Sequence, residues 1–253
     1  ASIKQRLKEE VSKLEKMIQQ KPGLALIQVG NREDSTKYVT AKKSTAEQIG
    51  MNSYIYRFEE NVSDAEILKT IENLNMDTKV HGIVVQLPLP SDLNKQLLLD
   101  AIHPMKDVDG FHPANVGRLV QGLPTFIPAT PYGILLMLAH FDIPTKGKNA
   151  VVIGRSNIVG RPMSILLSSD HPQGNCTVTC CHRYTPKEDL IEICSKADIL
   201  VVAVGMPDFI DASMIKPGAV IIDVGITRVT DATAAKGFRI KGDVHYEEAC
   251  AKA

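Results

Sequence analysis

The sequence has no surplus of either charge: 29 Lys plus Arg stand against 29 Asp plus Glu. Without a net field, a phosphate backbone or an anionic membrane surface is a poor partner, so nucleic acid and membrane are not expected. It also lacks any apolar run near the roughly 20 residues needed to cross a bilayer, and the longest, such as ADILVVAVG at 197–205, read as buried strands. The five cysteines, Cys176, Cys180, Cys181, Cys194 and Cys250, are odd in number and contain no CxxC pair. A chain of 253 residues builds a core without covalent staples, so free thiols in a reducing compartment are expected, the cytoplasm first and the mitochondrial matrix second. Cys180, Cys181 and His182 are consecutive, and strand neighbours point to opposite faces, which argues against a metal site. The opening residues ASIKQRLKEE carry neither an apolar segment nor an initial methionine, so neither a signal peptide nor a natural start is expected there.

What the chain does have is alternation. Ile3, Leu7, Val11, Leu14 and Ile18 lay one apolar stripe along a helix ending near Lys21-Pro22-Gly23, and LALIQVG follows as a strand. A helix over about 34–49, strand YIYRF, a helix behind the capping box Ser63 to Glu66, and strand GIVVQLPLP continue the series. Between Asp92 and Pro131 the pattern loosens into loops rich in Pro, Gly and Asn, of a length that usually serves function. Thr130 and Pro131 then suit the N-cap and first turn of the apolar helix PYGILLMLAHF, along which the boundary between two bodies is placed. A second series runs through AVVIG, NIVGRPMSILL, CTVTCC, PKEDLIEICS behind a box from Thr185 to Glu188, ILVVAVG and AVIIDVG. Such repetition implies parallel sheets. The expected fold is α/β: a three-layer α/β catalytic domain over 1–135, then a Rossmann-like dinucleotide-binding domain with a parallel sheet over 136–253.

The sharpest local signal is VVIGRSNIVG at 151–160, a strand that turns through Gly154 into a helix holding Gly160. Glycine lets backbone approach a pyrophosphate, and a helix N-terminus offers it free N–H groups. Arg155 and Ser156 stand where a second glycine often sits, so position at the first βα turn, more than spacing, carries this reading. The plain alternative is a packing turn. NAD sites usually place a carboxylate at the end of the next strand, whereas here that strand runs into His182 and Arg183. With Arg155, Arg183 suits a 2′-phosphate, so NADP is preferred to NAD.

In YVTAKK, Tyr38 and Lys42 share a helix face with Ser35, while Lys43 is turned away. Tyrosine and lysine four apart are commonly plain surface; an aromatic ring beside an amine also suits a flat substrate whose protons must be moved. Gln86, flanked by Val85 and Leu87, ends its strand where ligands collect above parallel sheets, and its neutral amide suits positioning Lys42. Asp107 and Asp109 precede Gly110, and one such carboxylate would suit adjacent N–H donors of a pterin-like ring; the usual role of Asp-Gly is turn formation.

The segments YVTAK, VVQLPLP, KDVDGF, PATPYGI, GRSNIVG, CHRYTPKE and IDVGI, in this order, resemble the methylenetetrahydrofolate dehydrogenase/cyclohydrolase family over nearly the whole chain. The resemblance implies a two-domain subunit, a homodimer through the nucleotide-binding domain, and folate in the cleft between domains. It implies Lys42 as catalytic acid or base, Tyr38 stacking on folate, Gln86 bonded to the lysine and Asp109 holding the pterin. Ser35, Val85 and Leu87 complete the implied substrate contacts, and Gly154, Arg155, Ser156, Gly160, His182, Arg183 and Ile226 the cofactor contacts. The implied reactions oxidise 5,10-methylenetetrahydrofolate with NADP and hydrolyse the product to 10-formyltetrahydrofolate. Some mitochondrial members use NAD with magnesium and phosphate, and CHRYTPKE is similar to theirs, but they carry an aspartate where this chain has Asn175. The family continues past GDV into a Pro/Gly-rich loop and a helix, whereas this sequence ends at Ala253, and the family's initial strand is not seen. The alternatives are an NAD-dependent form, another two-domain dehydrogenase acting on shikimate-like acids, and an inactive, truncated nucleotide-binding chain.

Overall fold

The computed structural model describes residues 3–234 and 237–253. The chain divides into two compact units, Ala1–Arg118 and Leu119–Ala253.

The first series comprises α1 (Ile3–Ile18), β1 (Gly23–Val29), α2 (Glu33–Gln48), β2 (Asn52–Phe58), α3 (Asp64–Met76), β3 (Gly82–Val85), α4 (Lys95–Asp100) and α5 (Pro113–Val120). Its three strands are parallel in the order β2-β1-β3. Alternate residues of β1 explain the layers. Ala25, Ile27 and Val29 join Ile67, Ile71 and Leu74 of α3 on one face, and Leu26 joins Val39 of α2 on the other. Helices on both faces make this a three-layer unit. Ile67 and Ile71 are fully buried, so truncating either to Ala would cost about 2–5 kcal/mol.

Half of the box expected at α3 forms: Ser63 Oγ caps the helix, accepting from Glu66 N at 3.4 Å, while the Glu66 carboxylate accepts from the Ser63 hydroxyl at 3.3 Å and not from its backbone N–H. The stripe on α1 is only half covered, for Ile3, Leu14 and Ile18 remain exposed. The stretch expected as loops from Asp92 to Pro131 holds α4 and α5. Asn94 starts α4 by accepting from Leu97 N at 3.1 Å, and Leu98 and Leu99 anchor it in the core. One and a half turns are too few for periodicity to declare a helix.

The second unit contains α6 (Ala129–His140), β4 (Asn149–Ile153), α7 (Gly160–Ser168), β5 (Thr177–Cys181), α8 (Lys187–Cys194) and β6 (Ile199–Val202), then a short 3₁₀ turn at Ala212–Met214 and β7 (Val220–Asp223). Strands β8 (Thr227–Thr230) and β9 (Phe238–Lys241) and helix α9 (Tyr246–Cys250) complete it. The main sheet is parallel, in the order β5-β4-β6-β7, and β8 and β9 form a separate antiparallel pair. Val151, Ile153, Leu200 and Val202 face α8, while Ala150, Val152, Ile199 and Val201 face α6 and α7. Cys180 is exposed and Cys181 buried, as opposite pleats require.

Helix α6 packs Ile134, Leu135 and Leu138 into this second core, which is why the division falls ahead of it, at Arg118, and not along it. It begins at Ala129 behind Pro128, so Thr130 is inside the first turn and is not the N-cap. Its burial is one-sided, with Tyr132, Met137 and Phe141 exposed. The expected box at α8 also does not form. Pro186 precedes the helix, and Thr185 Oγ1 instead accepts from His182 N at 3.0 Å. Among the described residues no helix is long and apolar enough to cross a membrane.

Candidate active site and nucleotide-binding edge

Helix α2 and the end of β3 position the first group of side chains. The apolar residue Val39 pins α2 to the sheet, and Lys42, one turn beyond Tyr38, reaches Gln86: its Nζ donates to Gln86 Oε1 at 3.2 Å. Gln86 is itself fixed, its backbone N–H on Ile27 O at 2.8 Å and its Nε2 on Leu87 O at 2.7 Å. Lys43 points elsewhere and sits 3.7 Å from Glu47 on the same helix. Tyr38 is 49% exposed, a large ring without a place in the core. Ser35 is buried and its Oγ has no hydrogen-bond partner among the described residues, an unspent group on the Tyr38 and Lys42 face. Val85 is buried and Leu87 half-buried at the same strand end.

The two aspartates of KDVDG separate cleanly. Asp107 is buried, and its Oδ2 accepts from His112 N and from Asn115 Nδ2, each at 2.8 Å. Its segment pairs with Ile83 as a single bridge, and Lys106 Nζ closes the end of α3 on Leu74 O and Asp77 O, each at 2.8 Å. Asp107 and Lys106 are therefore spent on the scaffold. Asp109 has no hydrogen bond to its carboxylate among the described residues. Burial pushes its carboxyl pKa up, the charge of Lys42 pulls it back, and Asp107 adds to the rise. A carboxylate held against desolvation beside an amine, with free acceptor capacity, suits a ligand presenting adjacent N–H groups.

In the second unit the carboxyl ends of β4, β5 and β6 hold the other group. Gly154 has φ +121°, and a Cβ there would lie 2.4 Å from Ala203 O. Gly160 is equally tight, its Cβ falling 2.1 Å from Gly154 O. Both glycines are thus demanded by the turn's own backbone, and they bring it close enough to seat a phosphate. Ser156 organises the turn, its Oγ accepting from Val159 N at 3.1 Å and its carbonyl from Arg161 N at 3.0 Å. The backbone N–H groups of residues 155–158 have no partner among the described residues, so the turn presents unspent donors ahead of α7. These features fit a nucleotide pyrophosphate.

His182 and Arg183 follow β5. His182 Nδ1 accepts from Tyr184 N at 3.3 Å, which shapes the turn. Arg155 and Arg183 are exposed, and neither has a carboxylate partner among the described residues. Ile226 is 64% exposed just after β7. Asn175, with φ +62°, bonds His171 O through Nδ2 and so shapes the loop before β5.

Three residues outside the expected set matter here. Tyr184 has the guanidinium groups of both Arg155 and Arg183 near its ring. Asp243, fully buried, accepts from Val204 N at 2.7 Å and Gly205 N at 2.9 Å. Asp223 accepts from Gly225 N, Asp243 N and Val244 N at 2.9–3.0 Å. The motif IDVGI contains Asp223, yet nothing in the sequence says that Asp243, twenty residues on, donates its backbone N–H to it.

Comparison with known proteins matches the two parts of the chain to two domains of one family. The family model for the tetrahydrofolate dehydrogenase/cyclohydrolase catalytic domain matches residues 1–109, and that for the NAD(P)-binding domain matches 128–253. The bifunctional protein FolD of Porphyromonas gingivalis is 46% identical over 250 residues, covering 99% of this chain and 84% of that protein. That of Christiangramia forsetii is 49% identical over 251 residues, covering 99% and 83%. The bifunctional FolD methylenetetrahydrofolate dehydrogenase/cyclohydrolase of Campylobacter jejuni superposes with a TM-score of 0.90 at 43% identity, covering 99% of this chain and 84% of its own. The Trypanosoma brucei enzyme, solved with NADP and an inhibitor, superposes at 0.91 with 36% identity, covering 98% and 83%. Two matched domains in sequence, on two α/β units with parallel sheets, place this chain in the tetrahydrofolate dehydrogenase/cyclohydrolase family.

Proposed function

We propose that the chain oxidises 5,10-methylenetetrahydrofolate to the methenyl form with NADP and hydrolyses that product to 10-formyltetrahydrofolate. The observation that carries the second activity is the Lys42 to Gln86 hydrogen bond, with the Asp109 carboxylate in electrostatic reach of the same amine. NADP held by the second unit would supply a hydride acceptor for the one-carbon bridge, whose adjacent nitrogen lone pair would stabilise the resulting cation. The protein supplies no strong base for that step; it binds and orients. Asp109 accepts from the pterin N–H groups and Tyr38 covers the ring face, with Ser35, Val85 and Leu87 in contact around it. In the hydrolytic step water adds to the methenyl carbon and gives one proton to Lys42; the remaining hydroxyl proton leaves as the formyl C=O forms, N5 takes up a proton as its bond to that carbon breaks, and the formyl group stays on N10.

Gly154, Ser156 and Gly160 are assigned to the pyrophosphate, with His182 and Ile226 beside the nucleotide. NADP is preferred because Arg155 and Arg183 are cations without carboxylate partners among the described residues. The subunit is assigned as a cytoplasmic homodimer joined through the nucleotide-binding unit, and sedimentation at micromolar concentration tests the dimer. A paired assay of cofactor reduction and methenyl hydrolysis, run with NADP and with NAD, tests the activity. Both rates are expected, with the reduction favouring NADP; absence of both with folate substrates would refute the reading.

A further inference from the structure

We propose that Tyr184 determines the preference for a phosphorylated nucleotide by holding Arg155 and Arg183 together as one clamp for a phosphate monoester. This rests on the NADP reading and adds a residue and a mechanism to it.

Tyr184 is 67% exposed and belongs to no hydrophobic cluster among the described residues, so packing there does not account for its ring. Its neighbours are cationic or imidazole groups. The guanidinium carbon of Arg155 lies 5.5 Å from the ring centroid and that of Arg183 lies 4.8 Å from it. Arg183 Nη2 also donates to the Tyr184 hydroxyl at 3.0 Å, and His182 meets the ring edge-on at 6.2 Å. The two arginines come from different strand ends, β4 and β5, and one aromatic ring gathers them.

Two guanidiniums on long, exposed side chains repel each other and would otherwise spread into solvent. The negative face of the ring attracts both, and the hydroxyl fixes one of them in direction. Arranging the cations before the ligand arrives removes the ordering entropy that binding would otherwise have to overcome. The remaining N–H donors of both side chains stay free, because neither has a carboxylate partner among the described residues. Next to them is the turn whose unspent backbone donors suit a pyrophosphate. A second phosphate group on the same nucleotide is the ligand that such a pair of sites recognises. Inorganic phosphate accompanying NAD has the same chemistry and is the other source.

Binding is measured by calorimetry on the full chain for wild type, Tyr184→Ala and Tyr184→Phe, with NADP, NAD, and NAD plus inorganic phosphate, alongside a thermal melt. Tyr184→Ala should weaken NADP about three- to tenfold and leave NAD unchanged, the loss expected for two exposed cation–π contacts. Tyr184→Phe should lose less, since the ring remains and only the hydroxyl bond is removed. An equal loss for NADP and NAD, or no loss for either, overturns the inference, while a wild-type preference for NADP that survives Tyr184→Ala overturns it and leaves the NADP reading standing. Phosphate-dependent NAD binding that disappears in Tyr184→Ala supports the clamp and overturns the NADP reading. A wild type that binds all three alike overturns both.

Discussion

Lys42 and Gln86 are joined by a 3.2 Å hydrogen bond in which a neutral amide oxygen accepts from the amine, and the amide's own nitrogen is tied to Leu87 O. The amide fixes where the amine sits, and the Asp109 carboxylate lies within electrostatic reach of it. An amine held in a defined place is suited to move a proton at a bound substrate.

Lys42→Met should therefore abolish methenyl hydrolysis, a loss of at least about 100-fold for removal of a general base, while the hydride step falls much less. Parallel assays of both steps check this. Hydrolysis that continues at the wild-type rate in Lys42→Met would remove the lysine from the mechanism.

Asp109 gives a pH-dependent prediction. Its carboxyl pKa is raised in the folded chain, chiefly by burial. A raised acid binds more protons folded than unfolded, so its stabilising contribution is present below the unfolded value and is lost as pH rises through the folded one. At neutral pH the ionised group costs stability. Asp109→Asn should raise the melting temperature at neutral pH, and this gain should vanish below the ordinary carboxylate range. The same variant should weaken folate binding about 10- to 100-fold, the worth of charge-assisted hydrogen bonds. A variant that melts lower at neutral pH would contradict the burial argument.

The alternation of apolar segments made both sheets legible, because fully buried runs such as Ile199–Val202 and Gly82–Val85 have no polar interruption to obscure them. Lys42, Gln86 and Asp109 were legible as candidates through the family's motifs, and helical spacing alone put Tyr38 and Lys42 on one face. What was not legible depends on long-range geometry. Nothing in KDVDG alone reveals that Asp107 is committed to His112 and Asn115, leaving Asp109 free. The unformed box at Thr185 illustrates the converse: its hydroxyl had a nearer donor in His182 N, and Pro186 supplied the helix start.

Gly154 tests the nucleotide-binding turn. Alanine there meets both a backbone conformation with φ +121° and the Ala203 carbonyl 2.4 Å from its Cβ. Strain and overpacking together should cost about 2–4 kcal/mol, or a fall of roughly 5–15 °C in melting temperature. NADP affinity should fall with it, because the turn must move away from the position that seats the phosphate. Unchanged melting in Gly154→Ala would mean that the turn relaxes freely and that the glycine is not required by its backbone.

Asp243 supports the loop that follows β6, next to the same turn. Its Oδ2 holds the N–H groups of Val204 and Gly205, directly after the Ala203 carbonyl that confines Gly154, and Asp223 holds Asp243 by its own N–H. Asp243→Ala would remove the acceptor of two partly exposed N–H groups, at about 1 kcal/mol each. Asp243→Asn keeps an acceptor of the same shape and should recover most of that loss. Denaturant melts of the two variants distinguish hydrogen bonding from charge: if Asn is as damaging as Ala, the carboxylate's charge, and not its acceptor oxygen, holds the loop. NADP titrations on both variants then show whether the loop contributes to the site, with a weaker affinity in Asp243→Ala that Asp243→Asn largely restores as the expected result.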